Sequence, residues 1–99
     1  MNETKKKYNK EFAKVKKEIF DRDAWECMME ESHRCKGQLD VHHIISRSLM
    51  GSNDKTNLIT VCRYYHGKLH LIGIRGRVKK CREVLKDRYD YTYKDEFTG

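Results

Sequence analysis

Four of the five histidines stand in two tight groups, His42-His43 and His66-x-x-x-His70. On a helix, residues four apart share a face, so His66 and His70 can offer two imidazoles to one ion. A third imidazole from a neighbouring strand, His42, completes a three-point site with a position open for water or substrate. His43 points to the opposite side of an ideal strand and is left to act as a base. Such a set suits hydrolysis of a phosphodiester. An imidazole with an ordinary pKa of about 6.5 can deprotonate a water near neutral pH, and a cation can neutralise charge on the phosphate and its leaving oxygen. Asp40, two residues before His42 on the same strand face, can accept a hydrogen bond from a metal-bound imidazole and fix its tautomer. The expected cofactor is a divalent ion. Three imidazoles suit Zn, Ni, Mn or Co better than Mg, which prefers oxygen ligands.

These side chains need elements to hold them. Residues 38–45 alternate Leu39, Val41, His43 and Ile45 with Gln38, Asp40, His42 and Ile44, a strand pattern that puts Asp40 and His42 on one face. Residues 50–56, with Gly51, Ser52, Asn53 and Asp54, are turn chemistry, and NLITVC at 57–62 is a second strand, so the two form a hairpin with a long connection. A short helix over 66–71 carries the second histidine pair, and Gly73 and Gly76 interrupt it. Tyr8, Phe12, Val15 and Ile19 mark an amphipathic helix over about 4–20. Val78, Cys81 and Leu85 mark another over about 77–89. Residues 21–36 have neither period and read as an irregular knuckle, and the tail YDYTYKDEFTG reads as weakly docked.

A chain of 99 residues, only 37% of them hydrophobic, is expected to form a single domain, 1–99, in which bound metal helps folding. Lys and Arg number 22 against 15 Asp and Glu, a net charge of +7 that attracts polyanions, nucleic acid first among them. No apolar run approaches the roughly 18 residues of a membrane span and no leader is visible, so a cytoplasmic location is expected, with no membrane partner. In a reducing compartment Cys27, Cys35, Cys62 and Cys81 are thiols or metal ligands rather than disulfides.

The stretch LDVHHIISRSLMGSNDKTNLITVCRYYHGKLH, residues 39–70, resembles the HNH endonuclease motif, and FDRDAWEC, residues 20–27, resembles its usual lead-in. That resemblance implies an α+β fold: a ββα-metal (His-Me finger) motif of two antiparallel strands and a short helix, flanked here by N- and C-terminal helices. In the histidine-rich, colicin-DNase-like branch, the resemblance assigns the ion to His42, His66 and His70 and the general base to His43. The nine-residue step from Asn57 to His66 matches that branch, where the asparagine pins the loop between the strands. Elsewhere in the family such an asparagine ligates the ion. DNA is the implied substrate, nicked or cleaved, and small proteins of this kind resemble phage-encoded packaging, recombination or homing nucleases in a bacterial host.

The chain also departs from its relatives. Many of them hold a structural zinc with two Cys-x-x-Cys pairs, whereas here Glu30 and Tyr65 stand at the partner positions of Cys27 and Cys62. Cys27, Cys35 and Cys62 with His33 can still form a zinc site, but the irregular spacing favours an eroded knuckle. Cys81, on an apolar stripe, reads as core. Arg47, Arg63, Arg75, Arg77, Lys79 and Lys80 are candidate phosphate contacts. Two other readings compete: a non-catalytic zinc-finger-like DNA-binding module closed by a cysteine, in which His43 has no use, and a small RNA-binding or adaptor protein without metal dependence. Monomer and homodimer are both open.

Overall fold

The computed structural model describes residues 3–29 and 32–94, without the side chains of residues 3–6 and 8. The lysine-rich start forms α1 (Glu3–Arg22), and its apolar stripe does what periodicity predicts. Ile19 and Phe20 are buried with Val41 and Leu58, and Phe12 and Val15 pack against that cluster. Tyr8, the first member of the expected stripe, has its side chain outside the described residues. Two consecutive left-handed residues, Ala24 and Trp25, both with φ near 56°, end the helix. Trp25 then stacks on Phe20 with ring centroids 4.6 Å apart.

Between them and the helix lies Asp23, a buried carboxylate that ties three elements together. Its Oδ2 accepts from the Thr60 amide at 3.0 Å. Its Oδ1 accepts from Arg22 Nε at 2.7 Å and from the Tyr89 hydroxyl at 2.6 Å. Burial opposes its ionisation, but the hydrogen bonds from Arg22 and Tyr89 outweigh that and hold the carboxyl below the usual range.

The predicted hairpin is present as β1 (Leu39–His43) and β2 (Leu58–Cys62), antiparallel, with His43 opposite Leu58 and Leu39 opposite Cys62. Strand alternation sorts the two sides. Leu39 and Val41 lie against the α1 cluster, while Asp40 and His42 face the second helix pair. On the other side Ile59, Val61, Tyr65, Leu69, Val78, Cys81 and Leu85 form the larger core, which confirms Cys81 as a buried packing residue. This is the α+β, ββα arrangement expected from the sequence.

Helix α2 (Arg63–Leu69) starts three residues earlier than the histidine spacing suggests, because β2 runs straight into it. Cys62 caps it, its Sγ accepting from the Tyr65 amide at 3.4 Å. His70 sits at the C-cap rather than inside. Nor do the glycines interrupt as expected. Gly73 is the N-cap of α3 (Ile74–Tyr89) and Gly76 lies within that helix, so only residues 70–73 separate α2 from α3.

The tail is docked more firmly than its composition suggests. Asp90, at φ 58°, turns the chain out of α3. The Tyr93 hydroxyl donates to the Thr56 carbonyl at 2.7 Å, and the Arg82 guanidinium lies 4.2 Å over the Tyr93 ring. Residues 95–99 lie outside the described residues. Among the described residues no helix is long and apolar enough to cross a membrane.

Candidate metal centres and the cleft

The first centre is built across the hairpin and α2. His42 comes from β1, His66 from α2 and His70 from its C-cap, and one ligand atom from each lies within 4.8 Å of the others. Ring centroids are 5.0 to 5.8 Å apart. His42 Nε2 is buried and has no hydrogen-bond partner, a cost that an ion among the three rings would remove. Burial, reinforced by the His66 and His70 imidazoles, pushes His42 down to about 3, so it is the neutral form a metal requires. His70 is also lowered, by burial first and then by His66 and Arg77. Asp40 Oδ2 lies 3.1 Å from His66 Nδ1. With the proton on Nδ1 donated to the carboxylate, the His66 Nε2 lone pair is the ligand. Asp40 is held in turn by Arg63, 3.0 Å away, whose hydrogen bond lowers the carboxyl. These donors fit a divalent ion.

His43 lines the same cleft as the triad despite its position on the other strand face, because the strand ends at it. The Phe12 ring from α1 packs on the imidazole at 4.7 Å. Its Nε2 lies 2.9 Å from Asn53 Oδ1. Burial lowers its pKa, with the positive Arg47 adding to the effect and the Asn53 hydrogen bond opposing it.

Asn57 does not reach the triad. Its Oδ1 accepts from the Ile45 amide at 2.8 Å and its Nδ2 donates to the Ile45 and Ser52 carbonyls at 3.0 and 2.9 Å, clamping the two ends of the 44–57 connection. A Cβ at Gly51 would lie 1.7 Å from the Ile45 carbonyl oxygen, so the clamped loop has room only for glycine there.

Around the triad runs a cleft of about 490 Å³ walled by Val41, Ser46, Ser48, Arg47 and Arg77 as well as the four histidines. Among the described residues no carboxylate is part of that wall. Arg47 is steadied by Asn9 of α1 at 3.2 Å, and Arg77 projects from the first turns of α3 with a buried Nε that has no partner. The other expected phosphate contacts fall elsewhere. Arg63 pairs with Asp40, Arg75 and Lys79 are exposed outside the cleft wall, and Lys80 is half-buried outside it.

The second centre is the knuckle. Met28 pairs its amide with the Thr60 carbonyl at 2.9 Å, while the Arg63 and Tyr64 amides donate to the Gln38 and Lys36 carbonyls. The segment is thereby wrapped over the β2–α2 junction. Cys27, His33, Cys35 and Cys62 then converge, with His33 Nε2 3.6, 3.4 and 3.6 Å from the three sulfurs. A tetrahedral zinc with Zn–S about 2.3 Å and Zn–N about 2.0 Å demands N···S separations of about 3.5 Å. Spacing alone pointed to erosion, but the geometry does not. Cys27, His33, Cys35 and Cys62 could hold a metal ion, drawn from a Cys-x₅-His-x-Cys stretch and a strand end instead of two Cys-x-x-Cys pairs.

Three thiols this close cannot all ionise without a cation. Burial and the neighbouring Cys27 and Cys62 push Cys35 up to about 11. Burial also opposes ionisation of Cys62, but amide hydrogen bonds from Tyr65 and Lys36 bring it down to about 7. No cysteine joins the histidine triad among the described residues, so the four-ligand site of a zinc-finger-like module is not assembled there.

Asn53, Phe12 and Asn9 are contacts that sequence reasoning missed. Asn53 looked like turn chemistry, and nothing local distinguishes it. Residues 26–71 match the family model described as HNH endonuclease. No curated protein and no solved structure matches the chain.

Proposed function

Because residues 26–71 match the HNH endonuclease family model, we propose that the chain is a metal-dependent DNA endonuclease that hydrolyses phosphodiester bonds, with His43 as general base and a divalent ion held by His42, His66 and His70. The observation that carries this reading is the pairing of a complete imidazole triad with a fourth, separately held imidazole in one cleft. A divalent ion there would act as a Lewis acid, neutralising charge on the scissile phosphate and its leaving oxygen. His43, kept neutral at physiological pH by its burial, accepts the proton of the attacking water. Arg47 and Arg77 in the cleft wall receive the non-bridging phosphate oxygens. Zn, Mn or Ni fits the triad's donors better than Mg. We assign the Cys27, His33, Cys35 and Cys62 centre a separate structural zinc.

The experiment is cleavage of supercoiled plasmid by the purified chain with added Mn²⁺, repeated with EDTA and with His43→Ala. Cleavage is expected to require the ion and to fall by about 10² to 10⁴ in the variant. Undiminished cleavage by His43→Ala would remove the assigned base. Tight DNA binding with no cleavage under any divalent ion would favour a binding module.

A further inference from the structure

A base on a hydrolase must present a lone pair, and an imidazole has two nitrogens of which one carries the proton in the neutral form. Which one is set by the partner of the other. Here that partner is Asn53, which is 8% exposed and whose Oδ1 lies 2.9 Å from His43 Nε2. An amide oxygen can only accept, so the ring proton belongs on Nε2 and the lone pair resides on Nδ1.

The amide is held there at a cost. Its Nδ2 is buried without a hydrogen-bond partner, which is destabilising, and its only hydrogen bond among the described residues is the one to His43. Yet the loop that carries it is held rigidly. Asn57 ties the adjacent Ser52 carbonyl at 2.9 Å, and the Gly51 amide donates to the Ser46 carbonyl at 2.9 Å. Phe12 covers the ring from α1 at 4.7 Å. An unfavourable buried amide in a stiff loop, aimed at one ring atom, is what tautomer selection requires.

We propose that Asn53 is a positioning residue that orients His43 and locks it in the Nε2–H tautomer, so that Nδ1 is the atom that receives the proton of the attacking water. The inference rests on the reading of His43 as the base, but its structural half can be tested without any cleavage.

The test is long-range ¹H–¹⁵N correlation of the histidine rings in the metal-loaded full chain at neutral pH, alongside steady-state cleavage. Wild-type His43 is expected to show a protonated Nε2 and an unprotonated Nδ1. Asn53→Leu is expected to average the two ¹⁵N shifts and to lower kcat by roughly 10 to 100-fold with KM for DNA unchanged. Asn53→Asp, which keeps the acceptor, is expected to restore the tautomer and most of kcat. A wild-type His43 protonated on Nδ1 would overturn the proposal, and that result needs no variant to fold. So would an Asn53→Leu protein with wild-type shifts and kcat. If His43→Ala cleaves normally while the tautomer is as expected, the base assignment fails and the Asn53 lock stands.

Discussion

Asp40 and Cys35 show how single side chains set what the two centres can hold. Asp40 touches no reacting group. It receives the His66 Nδ1 proton at 3.1 Å and is itself fixed by Arg63, so its work is to aim one ligand and keep it basic. Asp40→Ala is therefore expected to weaken Mn²⁺ binding at the triad by about 10 to 100-fold, read by calorimetric titration of the zinc-loaded protein, while leaving the fold intact. Cys35 makes a prediction about protons. At about 11 its thiol is fully protonated near neutrality in the metal-free knuckle, and zinc binds the thiolate. Loading must then release that proton, so affinity rises with pH and is lost on acidification, by about tenfold per pH unit for each proton released. Calorimetry of zinc uptake in buffers of different ionisation enthalpy should return at least one proton per ion, and none would show that the thiol does not ligate.

Each element of the hairpin and its neighbours has a limited task. The 44–57 connection is long, yet Asn57 and Gly51 make it a fixed frame that holds the end of β1 and brings Asn53 to His43. The α1 terminus is under strain instead. Ala24 and Trp25 both occupy left-handed backbone, a region that costs an L-residue roughly 1–2 kcal/mol and glycine almost nothing. Trp25 is compensated by stacking on Phe20 and by an Asp21 hydrogen bond, whereas the Ala24 side chain is exposed. Ala24→Gly is expected to raise stability by roughly 0.5–1 kcal/mol in urea unfolding, the relief of strain exceeding the entropy of the added glycine. A destabilised variant would mean that the turn is not strained.

At the scale of the whole molecule, two helices outside the matched segment complete the cleft. From α1 come Phe12 against His43 and Asn9 beside Arg47; from α3 comes Arg77. Asp23, at the end of α1, ties both helices to β2 through the Thr60 amide and the Tyr89 hydroxyl. On the far side of the β2–α2 junction lies the knuckle, to which we assigned a structural zinc. Met28 and Met29 are its buried apolar anchors. Removing zinc with a strong chelator is expected to lower the melting temperature markedly, since an ion present at about 1,000 times its Kd stabilises the fold by about 4 kcal/mol. Cys35→Ser should reproduce the loss and abolish the response to chelator. A chelator-insensitive melt would show that no metal occupies the knuckle.

The chain's local pattern determined a good deal. Alternation in residues 39–43, the 3.6-residue stripe of α1 and the i, i+4 histidines were enough for the ββα order and for the His42, His66 and His70 triad, because periodicity fixes which side chains share a face. What spacing could not determine were contacts between elements distant in sequence. The knuckle read as eroded because a Cys-x-x-Cys rule looks only along the chain, whereas Cys62, the fourth of the converging side chains, arrives from a strand end after a fold over the β2–α2 junction. The tail read as loose because nothing in YDYTY shows that Arg22 and Arg82 lie beneath its rings. Asn53 read as a turn residue for the same reason. Its role depends on one hydrogen bond across ten residues of clamped loop, and only the tertiary structure brings that oxygen to the histidine.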